Sequence, residues 1–184
     1  MESVWHVLAC DPDTNGALII IRGEHFGGVI DSVEIIDCPV TKVRRSNRVC
    51  PARLAQLLRS YTFPPGTSVY LEEATTESRF SVHSALVQAT SYGTWLSALT
   101  NVGLTVHTVT GRAWKAAMGL TGRTKDASRG LAKIIYPEVA KSVDRKRDHG
   151  RAEPLLIAAH CHLHGSSFDD EFKARVRQAL VSGE

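Results

Sequence analysis

Two apolar runs in this chain end abruptly in carboxylates, and any fold it adopts has to accommodate both. Val4, Trp5, Val7, Leu8, Ala9 and Cys10 make the first run, which stops at Asp11-Pro12-Asp13. Its length and β-branched content are those of a buried strand. Pro12 and Gly16 turn the chain, and Ala17 to Ile21 returns beside it as a second strand. Ser68 to Leu71 is the second run, and it leads straight into Glu72-Glu73. A desolvated carboxylate left unpaired costs several kcal/mol or shifts its pKa. A metal ion is the natural partner for Asp11. A plain Asx turn built by Asp11 and Asp13 is the alternative.

Between these runs, Val29 to Ile36 reads as a third strand, closing a meander. Thr41 to Arg48 is a basic loop without an acid, and its Arg44, Arg45 and Arg48 suit phosphate contacts. Pro51 opens a helix with Leu54, Leu57, Leu58 and Tyr61 on one face. After the break at Pro64-Pro65-Gly66 and the strand at Ser68, a long helix runs from Ser81 to about Thr100. Its mix of small and aromatic residues (Ala89, Tyr92, Gly93, Trp95) permits close helix packing or a dimer contact, with ordinary core packing as the default.

Leu104 to Val109 alternates as a fifth strand. Two helical stretches follow between Thr110 and Tyr136, broken at Gly119 to Gly122 and ended by Pro137. Asp144 to Gly150 is a charged loop, Arg151 to His164 a helix with Pro154 in its first turn, and Phe168 to Val181 an amphipathic tail helix. This order predicts an α/β fold. One mixed five-stranded sheet, a three-strand antiparallel meander plus two parallel strands, carries helices on both faces. No repeat or linker interrupts it, so residues 1–184 read as a single domain with a core over about 4–165 and a helical tail over 166–184.

The 184 residues are 43% hydrophobic, enough for one well-packed core. No apolar run has the length of a membrane span, and no signal or transit peptide is legible. The four cysteines show no CxxC pair, which points to a reducing compartment without structural disulfides or a zinc ribbon. The formal charge of +3 is unevenly spread. Arg112 to Arg151 holds eleven Lys and Arg against four Asp and Glu, a net +7 that leaves −4 for the rest. Such a band suits a phosphate backbone, although a solvated helical surface is its commoner origin.

Parallel neighbouring strands would place Asp11 and Glu72 on the same sheet edge. A helix start beside them would add Asp148, His149 and Glu153. His149 and Glu153 are four apart and share a helix face. Asp148 converges only from a loop or cap, so all three stand as candidates. Carboxylates in this number repel one another unless cations neutralise them, and oxygen ligands favour Mg²⁺ first and Mn²⁺ second. Two such ions about 4 Å apart clamp the attacking water and the leaving 3′ oxygen of a phosphodiester. No nucleophilic side chain is then needed, which agrees with the absence of GxSxG, HExxH and Walker A motifs.

DPDTNGAL, VYLEEA and KRDHGRAEPLLIAAHCH, in this order and spacing, resemble the RuvC-type Holliday junction resolvases of the RNase H-like superfamily, most of all the plant chloroplast branch. QATSYGTWLSAL and TGRAWKAAMGLTGRTKDASR extend the likeness over Val7 to His164. The resemblance implies a homodimer that binds a four-way DNA junction and makes paired nicks on opposed strands, with two Mg²⁺ per site and a chloroplast location. It places catalytic and metal-binding acids on Asp11, Glu72, Asp148 and Glu153, with His149 beside them. It gives Lys115 and Lys125 to the scissile phosphate, Lys125 the stronger of the two, with Arg123 nearby on the DNA. Bacterial members carry an acid or His three residues before the last acid, where this chain has Gly150. Asp13 stands where those relatives usually have Gly.

Phe80 and His83 would then lie near the junction centre, stacking on unpaired bases or buried in a core or dimer interface. Glu73 reads as a supporting or surface acid. His160 and His164 have the spacing of a metal pair, but a zinc site wants further ligands, and packing explains the tract as well. Two rival functions remain: a non-catalytic RNase H-like module that binds branched nucleic acid, and a related nuclease acting on RNA.

Overall fold

The computed structural model describes residues 5–23, 30–75, 81–164 and 170–182. β1 (Trp5–Cys10), β2 (Ala17–Gly23) and β3 (Ile30–Asp37) form the antiparallel meander, with Cys10 opposite Leu18 and Ala17 opposite Asp37. β6 (Ser68–Glu72) joins the other side of β1 in parallel, with Leu71 opposite Cys10. β7 (Thr105–Val109) adds in parallel to β6, giving the order β3-β2-β1-β6-β7. The expected five-stranded mixed sheet is thus formed, with β1 at its centre.

The helices are α1 (Pro51–Arg59), α2 (Val82–Asn101), α3 (Gly111–Ala117), α4 (Lys125–Ile135), α5 (His149–His164) and α6 (Asp170–Ser182). None of the described helices is long and apolar enough to cross a membrane. All four cysteines are free thiols.

Strand parity divides the core. Leu8, Cys10, Leu18 and Ile20 pack with Leu54, Leu58, Trp95 and Leu99 of α1 and α2. Val7, Ala9, Ile19 and Ile21 pack with α4, α5 and α6 through residues such as Leu131, Leu155 and Val176. Successive side chains on a strand point to opposite faces. Asp11 therefore continues the Val7–Ala9 series onto the α5 face. Val69 and Leu71 face α1 and α2, which by the same rule turns Glu72 toward α5. α5 is buried on almost every side through Ala152, Leu155, Leu156, Ile157, Ala158 and Ala159, as expected of a helix sandwiched between a sheet and other helices.

Three local expectations need correction. The basic loop is a hairpin: β4 (Val40–Val43) pairs with β5 (Ser46–Val49) in a separate two-stranded sheet. Its tight turn puts Arg44 at φ 56, a conformation usually signalled by Gly or Asn, so the sequence hid it. The charged loop Asp144 to Gly150 is folded instead: Lys146–Asp148 is a 3-10 turn that follows another over Pro137–Val143, and His149 and Gly150 already belong to α5. α5 itself starts at His149, so Pro154 lies inside the helix rather than in its first turn and withholds one backbone donor there.

Candidate active site

The β1–β2 turn holds Asp11 in place. Asp11 donates its amide to the Ala17 carbonyl (3.1 Å), and its Oδ1 accepts the Asp13 amide (3.0 Å). The Asx turn is therefore real, and it leaves the rest of the buried carboxylate facing α5. Glu72 arrives from the end of β6 and Glu153 from the second turn of α5. One carboxylate oxygen from each of Asp11, Glu72 and Glu153 lies within 4.8 Å of the others.

Two glycines let these elements approach. A Cβ on Gly150 would lie 1.8 Å from the Asn15 carbonyl oxygen, so α5 rests directly on the β1–β2 turn. A Cβ on Gly111 would lie 2.6 Å from Glu72 Oε1, so α3 closes on that carboxylate. The side chain that the resemblance wanted at position 150 has no room there.

Burial, and then the charge of Glu72, push the Asp11 carboxyl well above the ordinary carboxylate range, against the pull of the Asp13 amide. Burial and Glu153 push Glu72 up to about 7, and Lys115 opposes them. Lys115 Nζ is 3.7 Å from Glu153 Oε1 and gives the cluster one positive neighbour. Three crowded oxygen donors, of which Asp11 and Glu72 resist ionising, fit a hard divalent cation.

That fit has a measurable consequence. Both acids bind a proton more tightly in the folded chain than in the unfolded one. Between the ordinary carboxylate range and about pH 7, the metal-free protein therefore loses stability as pH rises. A cation removes that loss. The rise in Tm on adding Mn²⁺ should grow from pH 5 to pH 8. A rise that is the same at both would mean that these carboxylates do not hold the ion.

Asp148 does not join the cluster. Its Oδ2 accepts the Arg145 amide (2.9 Å) and Arg145 Nε (3.0 Å), and its Oδ1 accepts Arg145 Nη2 (3.0 Å). Arg145 accordingly holds its carboxyl below the usual range. The expected metal ligand is instead a staple for the turn that precedes α5. Arg151 extends this staple, donating through Nε to Asp37 at the end of β3 (2.6 Å) and through Nη1 to the Ser142 carbonyl (3.1 Å).

His149 lines the cleft together with Lys115 and Lys125. Its Nδ1 lies 3.3 Å from the Lys146 carbonyl and its Nε2 lies 2.9 Å from Lys125 Nζ. A carbonyl only accepts and an ammonium only donates, so these contacts pair an Nδ1–H with the Lys146 carbonyl and Nε2 with Lys125. His149 thus orients Lys125 at the cleft wall. Past Glu72 and Glu153 the cleft continues between α3 and α4, where Arg112, Arg123 and Thr124 line it.

Arg44 and Arg45 are exposed at the hairpin tip, and Arg48 is half-buried. His83 is tied to the hairpin by Ser46 Oγ (3.1 Å). Phe80 and the side chains of His162 and His164 lie outside the described residues. Glu73 is exposed at the cleft rim. Asn15, Thr75 and Gln88 also line the cleft and carried no signal in the sequence, because only packing turns them toward the acids.

A RuvC-like, RNase H-like fold bearing a centre of one buried and two part-buried carboxylates is the class this arrangement defines. Thermus thermophilus RuvC superposes with a TM-score of 0.52 at 18% identity, covering 95% of this chain and 97% of that one. The same protein in complex with a Holliday junction substrate gives 0.52 at 14% identity, covering 89% and 98%. The particular relative in sequence is "Holliday junction resolvase MOC1, chloroplastic" of Chlamydomonas reinhardtii, 46% identical over 70 residues. That segment is 38% of this chain and 8% of the relative, so the match spans under a tenth of that protein's length. No protein-family model matches the chain.

Proposed function

We propose that this chain is a Holliday junction resolvase, a structure-selective endodeoxyribonuclease making paired symmetric nicks in four-way DNA junctions. The observation that carries the reading is the meeting of Asp11, Glu72 and Glu153 from three separate elements on one rim of a RuvC-like sheet. The names of the relatives support it. Asp11, Glu72 and Glu153 hold Mg²⁺, two ions per site, with Mn²⁺ as a substitute. The ions supply charge neutralisation at the reacting phosphate and a more acidic water.

The chain's own groups do the rest. Lys125, oriented by His149, and Lys115, beside Glu153, donate to the non-bridging oxygens of the phosphodiester and offset its charge. Arg123 and the hairpin arginines Arg44, Arg45 and Arg48 bind flanking backbone, and His83 anchors the hairpin to α2. Cutting two opposed strands symmetrically requires two sites related by a twofold axis, hence a homodimer. The exposed Val82 and Leu86 at the start of α2 suit that contact. Residues 1–184 act as one domain, in the plastid, the location that the relative's name gives.

Incubating a labelled immobile junction with Mg²⁺, beside linear duplex and RNA–DNA hybrid, tests this. Nicks at equivalent positions on two opposed strands of the junction are expected, with the other substrates left intact. Preferred cutting of the hybrid would make the chain an RNA-directed nuclease. Tight junction binding without nicks would make it a non-catalytic module.

A further inference from the structure

Past the acids the cleft opens into a second cavity of about 490 Å³ at the start of α4. Glu72, Lys115, Lys125 and Glu153 line both, so the two spaces are continuous. The inward stripe of α4 is Ser128, Leu131, Ala132 and Ile135, and its first member is polar. Ser128 is 5% exposed and lines this second cavity. Its hydroxyl has no hydrogen-bond partner among the described residues, and it is not among the unpaired side-chain atoms sealed from water. An otherwise buried serine thus presents an unused hydroxyl to the cavity.

Thr124 lies four residues earlier on the same helix face and lines the cavity too. It is the N-cap of α4, yet its side chain caps no amide. The Ala127 amide bonds the Thr124 carbonyl (3.0 Å), and the amides of Lys125 and Asp126 have no acceptor among the described residues. A helix start of this kind, with the positive end of its dipole, favours an anion. Asp126, the acid of that first turn, bonds Arg129 (2.7 Å) and does not line the cavity. Arg112, Lys115, Arg123 and Lys125 line it against Glu72 and Glu153, and a divalent cation on those two acids would leave it strongly positive.

We propose that the first turn of α4, through the hydroxyls of Thr124 and Ser128, holds the phosphate next to the scissile one on the cleaved strand. This rests on the proposed resolvase function and adds to it a subsite outside the acidic motifs. A phosphodiester suits the place because its free oxygens accept and the hydroxyls and amides there donate. The cavity also continues directly from the acids that take the scissile phosphate. Fixing the neighbouring phosphate sets how the strand is aligned at the acids.

The test is nicking at subsaturating protein with Mg²⁺, on junctions in which one phosphate beside the cut is an uncharged methylphosphonate. Ser128→Ala should slow nicking of the ordinary junction about tenfold, the loss of one hydrogen bond to a charged group. Its Tm should match or exceed that of the unaltered chain, because Ala is the better helix former and an unpaired hydroxyl is gone. With the methylphosphonate on one side of the cut, the variant and the unaltered chain should nick at about the same rate. With it on the other side, the full difference should remain. Thr124→Val keeps the shape of the cap and should repeat this pattern, so it carries the test if Ser128→Ala lowers the Tm.

Nicking by Ser128→Ala at the original rate overturns the assignment and leaves the acid triad standing. A loss that is equal with either methylphosphonate also overturns it, because the hydroxyl then serves the fold rather than a strand phosphate. Inhibition by inorganic phosphate that Ser128→Ala relieves, with no dependence on the methylphosphonates, gives the pocket to a free anion and overturns it too. An unaltered chain that nicks no junction overturns the resolvase reading and this assignment with it.

Discussion

Replacing Asp11 by Asn is expected to slow junction nicking by about a thousandfold or more while leaving junction binding intact. The substitution keeps size and shape, and Asn Oδ1 can still accept the Asp13 amide that shapes the turn. What it removes is one anionic oxygen of the triad. Losing several kcal/mol of charge stabilisation at the reacting phosphate corresponds to about three orders of magnitude in rate. Metal-free stability should move the opposite way. Burial and Glu72 hold the Asp11 carboxyl far above its ordinary range, so its ionised form burdens the empty fold. Asn carries no such charge, and the Tm measured in EDTA at pH 8 should rise. The same pair of results is expected for Glu72→Gln. An Asp11→Asn variant that nicks at the original rate would leave the triad without a catalytic role.

The second large effect is structural. Gly150→Ala is expected to cost about 3 kcal/mol of stability and to weaken Mn²⁺ binding with it. The added Cβ would meet the Asn15 carbonyl oxygen at 1.8 Å and the Gly16 Cα at 3.3 Å. Both are backbone atoms, so no rotamer change relieves the overlap. α5 has to lift off the β1–β2 turn, and that movement carries Glu153 away from Asp11. Gly130→Ala is the matched control. It lies inside α4 with nothing within 4 Å of its Cβ position, and Ala there should stabilise by about 1 kcal/mol. Urea midpoints of the two variants should therefore shift in opposite directions. An unchanged midpoint for Gly150→Ala would mean that this contact does not set the position of α5.

The third member of the triad shows where sequence reasoning reached its limit. Sequence keeps Asp148, His149 and Glu153 as candidates and leaves the choice between Asp148 and His149 open, because one-dimensional spacing does not say where a helix begins. Once α5 starts at His149, the preceding 3-10 turn hands Asp148 to Arg145, while Glu153 points at the sheet. His149 turns out to serve Lys125, a residue 24 positions away, which no helical spacing could reveal. The β4–β5 hairpin was missed for a different reason: Arg44 occupies a left-handed position that carries no glycine to announce it.

Sequence alone determined the central strand, its parallel neighbour, and the acid at the end of each, because a two-residue alternation of apolar side chains specifies both strand and facing side. The side chains of Val7 and Ala9 already dictate which way Asp11 points. Only the tertiary structure decided which third acid completes the group, what Asp148 does instead, and that Gln88 shares the cavity. Those outcomes depend on how closely the helices approach the sheet, and for α5 and α3 the close contacts are those of Gly150 with the Asn15 backbone and of Gly111 with the Glu72 carboxylate, between residues far apart along the chain.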